Sequence, residues 1–204
     1  MKLLFKNLNL PDWLSFYRVA AFPFLLLLVV LNERSVFSWF LLVSYATDAV
    51  DGMIARRLKI TSARGAQLDS LGDQLTFIAG IAALFVFETT FMKQQLGLLL
   101  LAFSPYLLQL IIAYFKYGKA TAFHTYLAKL SAIIQSLFIL ILLFFGPVYW
   151  LFYSMLIIGL LETIEEIALI FMYDKWVSDV KGIFWAINDP RRKFNSPKHN
   201  PDQS

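Results

Sequence analysis

Four aspartates around a short basic turn are the residues of this chain whose type and spacing could best do chemistry. Asp48 and Asp51 are three residues apart, and Asp69 and Asp73 are four apart, so each pair shares one face of a helix. Long apolar runs flank the whole segment. Because an ionised carboxylate within a membrane costs about 2.5–3.5 kcal/mol, such a cluster indicates a functional site.

Clustered carboxylates repel one another unless positive charge lies between them. Arg56, Arg57 and Arg64 lie in the same segment and could pair with some of them. Carboxylate oxygens without His or Cys suit hard ions that keep waters or substrate phosphates as further ligands. The sequence therefore predicts a site for one or two Mg²⁺ or Mn²⁺ ions. The chain contains no cysteine, which excludes disulfides and thiolate metal sites.

The elements that must position these carboxylates are predicted to be membrane helices. The chain has 204 residues, of which 59% are hydrophobic and 16% charged, a composition typical of membrane proteins. Six stretches approach the length of apolar chain that crosses a bilayer as a helix. They lie at residues 13–31, 36–54, 69–90, 95–115, 129–146 and 148–173. The short turn between the second and third stretches makes them antiparallel, which brings the two carboxylate faces together.

The fold class predicted from this pattern is an all-α integral membrane protein, a six-transmembrane-helix bundle that forms one domain over residues 1–187. Residues 3–11 are predicted to form an amphipathic interfacial helix. Residues 174–187 are predicted to form a second one, because Trp176, Val180 and Ile187 recur at helical spacing. The polar, proline-containing tail 188–204 is predicted to be disordered.

The distribution of positive charge predicts the orientation. Of the 18 Lys and Arg residues, only Arg34 and Lys93 fall on the outer side when the N-terminus is placed inside. This bias makes both termini cytoplasmic. The net charge of +4 then follows from topology and from attraction to anionic headgroups. The lipid bilayer is therefore an expected partner, and nucleic acid is not.

The segment around the aspartates resembles a known family. The pattern DxxDGxxAR(x8)GxxxDxxxD is the signature of the CDP-alcohol phosphotransferases, integral membrane enzymes of phospholipid biosynthesis. The chain matches it at Asp48, Asp51, Gly52, Ala55, Arg56, Gly65, Asp69 and Asp73. The resemblance implies a transferase that moves a phosphatidyl group from CDP-diacylglycerol to an acceptor alcohol and releases CMP. It also implies a homodimer, with the active site on the cytoplasmic side of a bacterial inner membrane.

The resemblance assigns roles to the matching residues. Asp48, Asp51 and Asp69 would ligate metal, and Asp73 would be a metal ligand that also accepts the proton of the attacking hydroxyl. The CDP site would be lined by Gly52, Ala55, Arg56 and Gly65. Near the N-terminus, PDWLSFYR at residues 11–18 resembles the family's PNxLTxxR, with Asp12 in place of Asn and Ser15 in place of Thr. This match adds Arg18 as a phosphate contact.

The acceptor is predicted from a weaker resemblance. Residues 128–135, AKLSAIIQ, resemble the GKxKTxxQ of phosphatidylglycerophosphate synthases but have Ser131 and Ala132 where that pattern has Lys and Thr. Glycerol 3-phosphate is the predicted acceptor, and inositol phosphate, serine and phosphatidylglycerol are the alternatives. A phosphorylated acceptor needs fixed positive charge. The candidates for that charge are Arg64, Lys119 and Lys129.

Two questions stay open in the sequence. Glu162, Glu165 and Glu166 lie at helical spacing in the last apolar stretch, where they either pair with Lys or Arg or line the acceptor pocket. His124 is either an interfacial loop residue or a substrate contact.

The rival function is a cation transporter that uses the buried aspartates. A transporter would place charged features near the membrane midplane, whereas these aspartates cluster near the predicted cytoplasmic face.

Overall fold

The structure, a computed structural model, describes residues 10–58 and 63–192, and most of these residues are α-helical. The helices are α1 Leu10–Val30, α2 Arg34–Leu58, α3 Ala63–Phe87, α4 Thr89–Tyr117, α5 Tyr126–Phe145, α6 Tyr149–Met172 and α7 Ile183–Ala186. A 3-10 turn follows at Pro190–Arg192. Within these ranges the only strand-like pairing is an isolated parallel bridge between Ala122 and Ser178. The predicted all-α class is confirmed.

The six long helices correspond to the six predicted apolar stretches, but α2, α3 and α4 are longer than predicted. α2 ends at Leu58 and α3 begins at Ala63. The predicted stretches are shorter because hydropathy marks only the apolar part of a helix and misses a charged end. Among the described residues, α4 and α5 are long and apolar enough to cross a membrane. Shorter apolar stretches lie in α1 at Phe16–Val30 and in α3 at Leu71–Phe87.

The chain divides into two compact units. The first comprises Met1–Gln94 and Ser136–Val148, and the second comprises Gln95–Gln135 and Tyr149–Ser204. The predicted aspartate site therefore belongs to the first unit. The predicted acceptor residues Lys119 and Lys129 belong to the second.

In the first unit, α1 packs against α2 and α3. The fully buried core side chains come from four helices and include Leu25, Phe37, Leu41, Ala79 and Leu142. Gly80 of α3 lies next to side chains of α5 and α2. A Cβ at this position would lie 3.4 Å from Ile139 Cγ2 and 3.5 Å from the Tyr45 hydroxyl. These are ordinary van der Waals distances, so an alanine side chain would also fit between α3 and its neighbours α2 and α5.

Arg34, at the start of α2, closes the opposite end of this unit from the aspartates. Its Nε and Nη2 donate to the carbonyl oxygens of Leu143 at 2.9 Å and Leu142 at 3.1 Å. Nη2 also lies 2.5 Å from Oε1 of Glu88. The guanidinium thus binds carbonyl oxygens in the last turn of α5, where a positive charge is favourable. This contact gives one of the two positive residues on the predicted outer side a structural role.

The core of the second unit joins the loop between α4 and α5 to α6 and to the segment after it. Its buried members are Ala113, Phe123, Leu169, Ile170, Tyr173, Val180 and Ala186.

The helix predicted over 174–187 is wrong, because only Ile183–Ala186 is helical. Two residues of the segment have backbone conformations that a helix does not allow, Asp179 with φ 58° and Gly182 with φ 149°. The N–H groups of Asp179 and Val180 instead donate to the carbonyl oxygens of Ala122 and Phe123, at 3.2 and 2.7 Å.

The first residues of the predicted tail are held in place. Tyr173 Oη donates to Asp189 Oδ2 at 2.8 Å, and Arg191 Nη2 lies 2.7 Å from the same oxygen. The Arg191 guanidinium holds the pKa of Asp189 at about 2, so the carboxylate stays ionised at physiological pH. The lowered pKa stabilises the folded state in full above the ordinary value of 3.8, and this stabilisation is lost as the pH falls from 3.8 toward 2. Residues 193–204, and residues 3–9 of the predicted N-terminal interfacial helix, lie outside the described residues.

Candidate active site

A buried arginine joins three helices of the first unit. Nη1 of Arg18 in α1 donates to Oδ1 of Asp48 in α2 and to Oδ1 of Asp73 in α3. The Arg18 side chain is 1% exposed, whereas the two carboxylates are 42% and 50% exposed. One buried positive charge therefore holds two accessible carboxylates from different helices together.

The sequence of α1 explains why this arginine is buried. Arg18 is the only basic residue of α1, and Ala21, Leu25 and Leu28, which follow at helical spacing, are buried. Arg18 thus lies on the face that packs against the bundle. A guanidinium in such a place needs an anionic partner, and Asp48 and Asp73 provide two.

The remaining signature residues are located through their backbone. Asp51, Gly52, Ala55 and Arg56 fall within α2, and Arg64, Gly65 and Asp69 fall within α3, while their side chains lie outside the described residues. Helical periodicity sets Asp51 one turn after Asp48, and Asp69 one turn before Asp73. The structure thus brings Asp48 and Asp73 together, and the roles of all these residues stay predictions.

The described carboxylates have the chemistry that a hard cation needs. Asp48 and Asp73 already share one positively charged partner, and about half of each side chain is accessible. Oxygen donors of this kind fit Mg²⁺ or Mn²⁺. Among the side chains that the structure describes, no group of three or more His, Cys, Asp or Glu residues is close enough to hold a metal ion. A complete set of ligands would therefore need Asp51 and Asp69 as well.

Two buried hydroxyl groups next to the aspartates were missed by the sequence analysis. Ser44 lies four residues before Asp48 and is 1% exposed, and Thr76 lies three residues after Asp73 and is 2% exposed. Neither hydroxyl oxygen has a hydrogen-bond partner in the described part of the chain, although buried polar groups are nearly always bonded. A water or a substrate oxygen would satisfy them. Their helical spacing from the aspartates was the available signal.

Two of the three predicted acceptor residues belong to the second unit. Lys129 lies at the start of α5, and Lys119 lies in the loop before it. Lys119 Nζ lies 3.6 Å from the centre of the Trp176 ring, and Lys129 Nζ lies 5.6 Å from that of Tyr126. Both lysines are exposed. Thr125 caps α5, since its Oγ1 accepts a hydrogen bond from the N–H of Ala128 at 3.0 Å.

Two of the three glutamates of α6, Glu165 and Glu166, accept hydrogen bonds from neutral donors. Oε2 of Glu166 accepts hydrogen bonds from Gln109 Nε2 and Thr121 Oγ1, each at 2.7 Å. Oε1 of Glu165 accepts one from the N–H of Ile183 at 3.2 Å. These two side chains therefore tie α6 to the neighbouring loop and to the following segment. His124 is exposed and has a left-handed backbone, with φ 54°.

Curated relatives match part of the chain. The CDP-diacylglycerol--glycerol-3-phosphate 3-phosphatidyltransferase of Yersinia enterocolitica is 38% identical over 89 residues, which cover 40% of this chain and 46% of that protein. The protein of the same name from Sodalis glossinidius is 36% identical over 76 residues, which cover 34% and 40%. That from Rickettsia bellii is 33% identical over 70 residues, which cover 33% and 39%. The chain thus spans less than half the length of these relatives.

The family assignment depends on a longer match. No solved structure is similar to the chain. The family model described as CDP-alcohol phosphatidyltransferase, however, matches residues 8–175. This range contains Arg18, all four aspartates, and Lys119 and Lys129, which are predicted to bind the acceptor. The chain belongs to the CDP-alcohol phosphatidyltransferase family.

Proposed function

We propose that this protein is a divalent-metal-dependent membrane enzyme that transfers the phosphatidyl group of CDP-diacylglycerol to glycerol 3-phosphate and releases CMP. The observation that carries the proposal is the pair of accessible carboxylates, Asp48 and Asp73, that Arg18 holds together within an intact family signature. The acceptor is supported by the names of the relatives from Yersinia enterocolitica and Rickettsia bellii.

Asp48, Asp51, Asp69 and Asp73 would hold one or two Mg²⁺ or Mn²⁺ ions. A bound ion supplies charge neutralisation and positioning for the diphosphate, which are the main needs of this type of transfer. Gly52, Ala55, Arg56 and Gly65 would line the CDP site, where small residues let a nucleotide approach the backbone closely.

Asp73 would act as the base. It accepts the proton of the acceptor hydroxyl, whose oxygen attacks the phosphorus that carries diacylglycerol. The bond from this phosphorus to the oxygen that bridges it to CMP breaks, and CMP leaves with that oxygen. Arg18 orients the Asp73 carboxylate from the side of the helix bundle, so the other side of the carboxylate can face substrate. A direct contact between Arg18 and phosphate is a second role proposed for the same side chain.

The acceptor would be held by positive charge from Arg64, Lys119 and Lys129. The two lysines are exposed, and Lys129 lies in the first turn of α5. A phosphate group would bind there through charge-assisted hydrogen bonds.

The proposed arrangement in the membrane follows the sequence. Residues 1–187 would form one domain with six spans and an interfacial N-terminal helix, and both termini would be cytoplasmic in a bacterial inner membrane. The six long helices and the two that are apolar enough to span a membrane support this proposal. A homodimer is proposed from the family resemblance.

The experiment that tests this function measures CMP release from CDP-diacylglycerol by the detergent-purified protein. Glycerol 3-phosphate, inositol 1-phosphate, inositol, serine and phosphatidylglycerol are supplied one at a time. We expect release only with glycerol 3-phosphate. Release with a different acceptor would retain the transfer chemistry and replace the acceptor. Folded protein that releases CMP with none of them would refute the proposal.

A further inference from the structure

The loop between α4 and α5, residues 118–125, is bound along its length by the segment after α6. We call residues 118–125 the α4–α5 loop and residues 173–192 the C-terminal strap. The indole N–H of Trp176 donates to the carbonyl oxygen of Ala120 at 2.9 Å. Four residues later, the N–H of Val180 donates to the carbonyl oxygen of Phe123 at 2.7 Å. The strap thus pairs with the loop in the manner of a short parallel bridge.

The same loop is anchored on its other side by α6. Thr121 Oγ1 donates to Glu166 Oε2 at 2.7 Å, and Gln109 Nε2 donates both to that oxygen at 2.7 Å and to Thr121 Oγ1 at 2.9 Å. Gln109 is 2% exposed. Hydrogen bonds to a carboxylate are stronger than those between neutral groups. Glu166 therefore fixes the middle of the loop to α6.

The strap also sets where α5 begins. The N–H of Tyr126, the first residue of α5, donates to the carbonyl oxygen of Lys181 at 3.2 Å. The preceding Thr125 caps the helix and is fully buried, and Phe123 is buried in the core of this unit. The position of Lys129 in the first turn of α5 therefore depends on contacts made by the strap.

Lys119 is held by the strap directly. Its ammonium lies 3.6 Å from the centre of the Trp176 ring, a distance typical of a cation–π contact. Such a contact uses the charge of the ammonium, while its three N–H groups can still donate hydrogen bonds to a ligand. A long side chain that is ordered in advance loses less entropy when it binds a ligand.

We propose that Glu166 and the C-terminal strap position the α4–α5 loop so that Lys119 and Lys129 bind the phosphate of the acceptor. Thr121, Glu166 and Trp176 are then positioning residues, and neither Thr121 nor Glu166 touches the substrate. This inference rests on the proposed function, since it assumes a phosphorylated acceptor. It assigns a role to Glu166, which the sequence left open, and to the segment after α6, which the sequence had predicted to be an interfacial helix.

The test compares two threonines, each with a hydroxyl that donates a hydrogen bond. Thr121→Val removes the hydroxyl that binds Glu166, whereas Thr163→Val removes a hydroxyl that bonds only to the carbonyl oxygen of Gly159 in its own helix, at 2.9 Å. We expect Thr121→Val to raise KM for glycerol 3-phosphate about tenfold. The kcat at saturating acceptor and the KM for CDP-diacylglycerol should change less than about twofold. Thr163→Val should leave all three parameters near those of the wild type.

Two substitutions at Glu166 distinguish a role in hydrogen bonding to the loop from a role in packing. Glu166→Gln keeps an oxygen that accepts both hydrogen bonds, so its KM for glycerol 3-phosphate should stay near that of the wild type. Glu166→Leu has a similar volume but no acceptor, and it should behave like Thr121→Val. Trp176→Phe, which keeps a ring but loses the indole N–H, is the second loop variant if Thr121→Val does not fold.

Amide hydrogen exchange supplies a readout that does not depend on turnover. Residues 118–126 should exchange faster in Thr121→Val than in Thr163→Val, because the loop would open locally. Equal KM values for the two variants in an active enzyme would overturn this inference alone, as would a fall in kcat without a rise in KM. A wild-type protein that releases no CMP with any acceptor would instead overturn the proposed function, and this inference with it.

Discussion

At the level of single residues, the buried guanidinium of Arg18 binds two accessible carboxylates that come from different helices. The spacing of the aspartates predicts that Asp48 and Asp73 lie on facing helix surfaces, and they do share a partner. That partner is 30 residues from Asp48 and 55 from Asp73 along the chain. Its insertion between them depends on how α1 packs, which no local pattern encodes. Sequence resemblance indicated a phosphate contact for Arg18, and its described contacts are with carboxylates.

Replacing Arg18 tests its role as the counter-ion of the aspartates. In Arg18→Gln, two neighbouring carboxylates lose the charge that separates them, so the metal-free protein should be destabilised by about 1–3 kcal/mol. A divalent cation would then replace the missing charge. We therefore expect Mn²⁺ to raise the Tm of Arg18→Gln more than that of the wild type, measured against protein in chelator.

Lys93→Gln is the control for this change, since Lys93 is an exposed positive residue in α4. It should respond to Mn²⁺ as the wild type does. An equal rise of Tm in Arg18→Gln and the wild type would show that Arg18 does not balance the charge of the metal ligands.

Asp73→Asn tests the proposed base. Asparagine keeps an oxygen that can accept the hydrogen bond from Arg18 but cannot take up a proton at neutral pH. CMP release should fall by about 10²-fold or more, the usual contribution of a general base. Asp174→Asn, at an exposed position after α6, should retain full activity. Full turnover in folded Asp73→Asn would show that another group accepts the proton.

At the level of elements, hydropathy predicted the long helices and failed for the segment after α6. The apolar residues of 174–187 recur at helical spacing because several of them pack in the core of the second unit, to which this segment belongs. Val180 packs in its core, and the Trp176 indole N–H bonds to the α4–α5 loop. The spacing of apolar residues shows which of them are buried. It does not distinguish a helix from an irregular segment that packs against a loop. The left-handed conformation of Asp179 was not predicted from the sequence.

Gly182→Ala tests how the strap is held. Gly182 has φ 149°, and a Cβ there would lie 3.0 Å from Glu165 Oε1, the oxygen that accepts the N–H of Ile183. The substitution should cost about 1–3 kcal/mol through backbone strain and displacement of this carboxylate. Lower Tm and faster amide exchange in residues 176–187 would report the loss.

Gly97→Ala is the matched control. Gly97 lies inside α4, and a Cβ there would meet nothing within 4 Å. Alanine is favoured over glycine in a helix, so this variant should be as stable as the wild type or more stable. If Gly182→Ala were equally stable, the contact between Glu165 and the strap would contribute little to the fold.

At the level of the whole molecule, composition and charge predict a membrane protein, and the structure divides the chain into two units. The carboxylates that Arg18 holds together lie in the first unit, and the lysines proposed for the acceptor lie in the second. The family signature lies entirely in α1–α3 of the first unit. It contains the residues proposed for the chemistry that the family shares, whereas two of the three residues proposed to bind the acceptor, Lys119 and Lys129, lie in the second unit.

Membrane orientation can be measured with single cysteines, because the chain has none of its own. Glu33→Cys lies between α1 and α2, and Asp174→Cys lies just after α6. A maleimide that does not cross membranes should label Glu33→Cys in intact cells and should label Asp174→Cys only after lysis. Labelling of both in intact cells, or the reverse pattern, would contradict the orientation predicted from Lys and Arg.

The central claim is that the aspartates around Arg18 bind a divalent cation and catalyse phosphatidyl transfer. The most direct test follows CMP release from CDP-diacylglycerol and glycerol 3-phosphate by purified wild-type protein, first in chelator and then during titration with Mg²⁺ or Mn²⁺. We expect no release in chelator and saturable recovery with either ion, with recovery abolished in Asp48→Asn. Release that persists in chelator, or recovery that is unchanged in Asp48→Asn, would contradict the account.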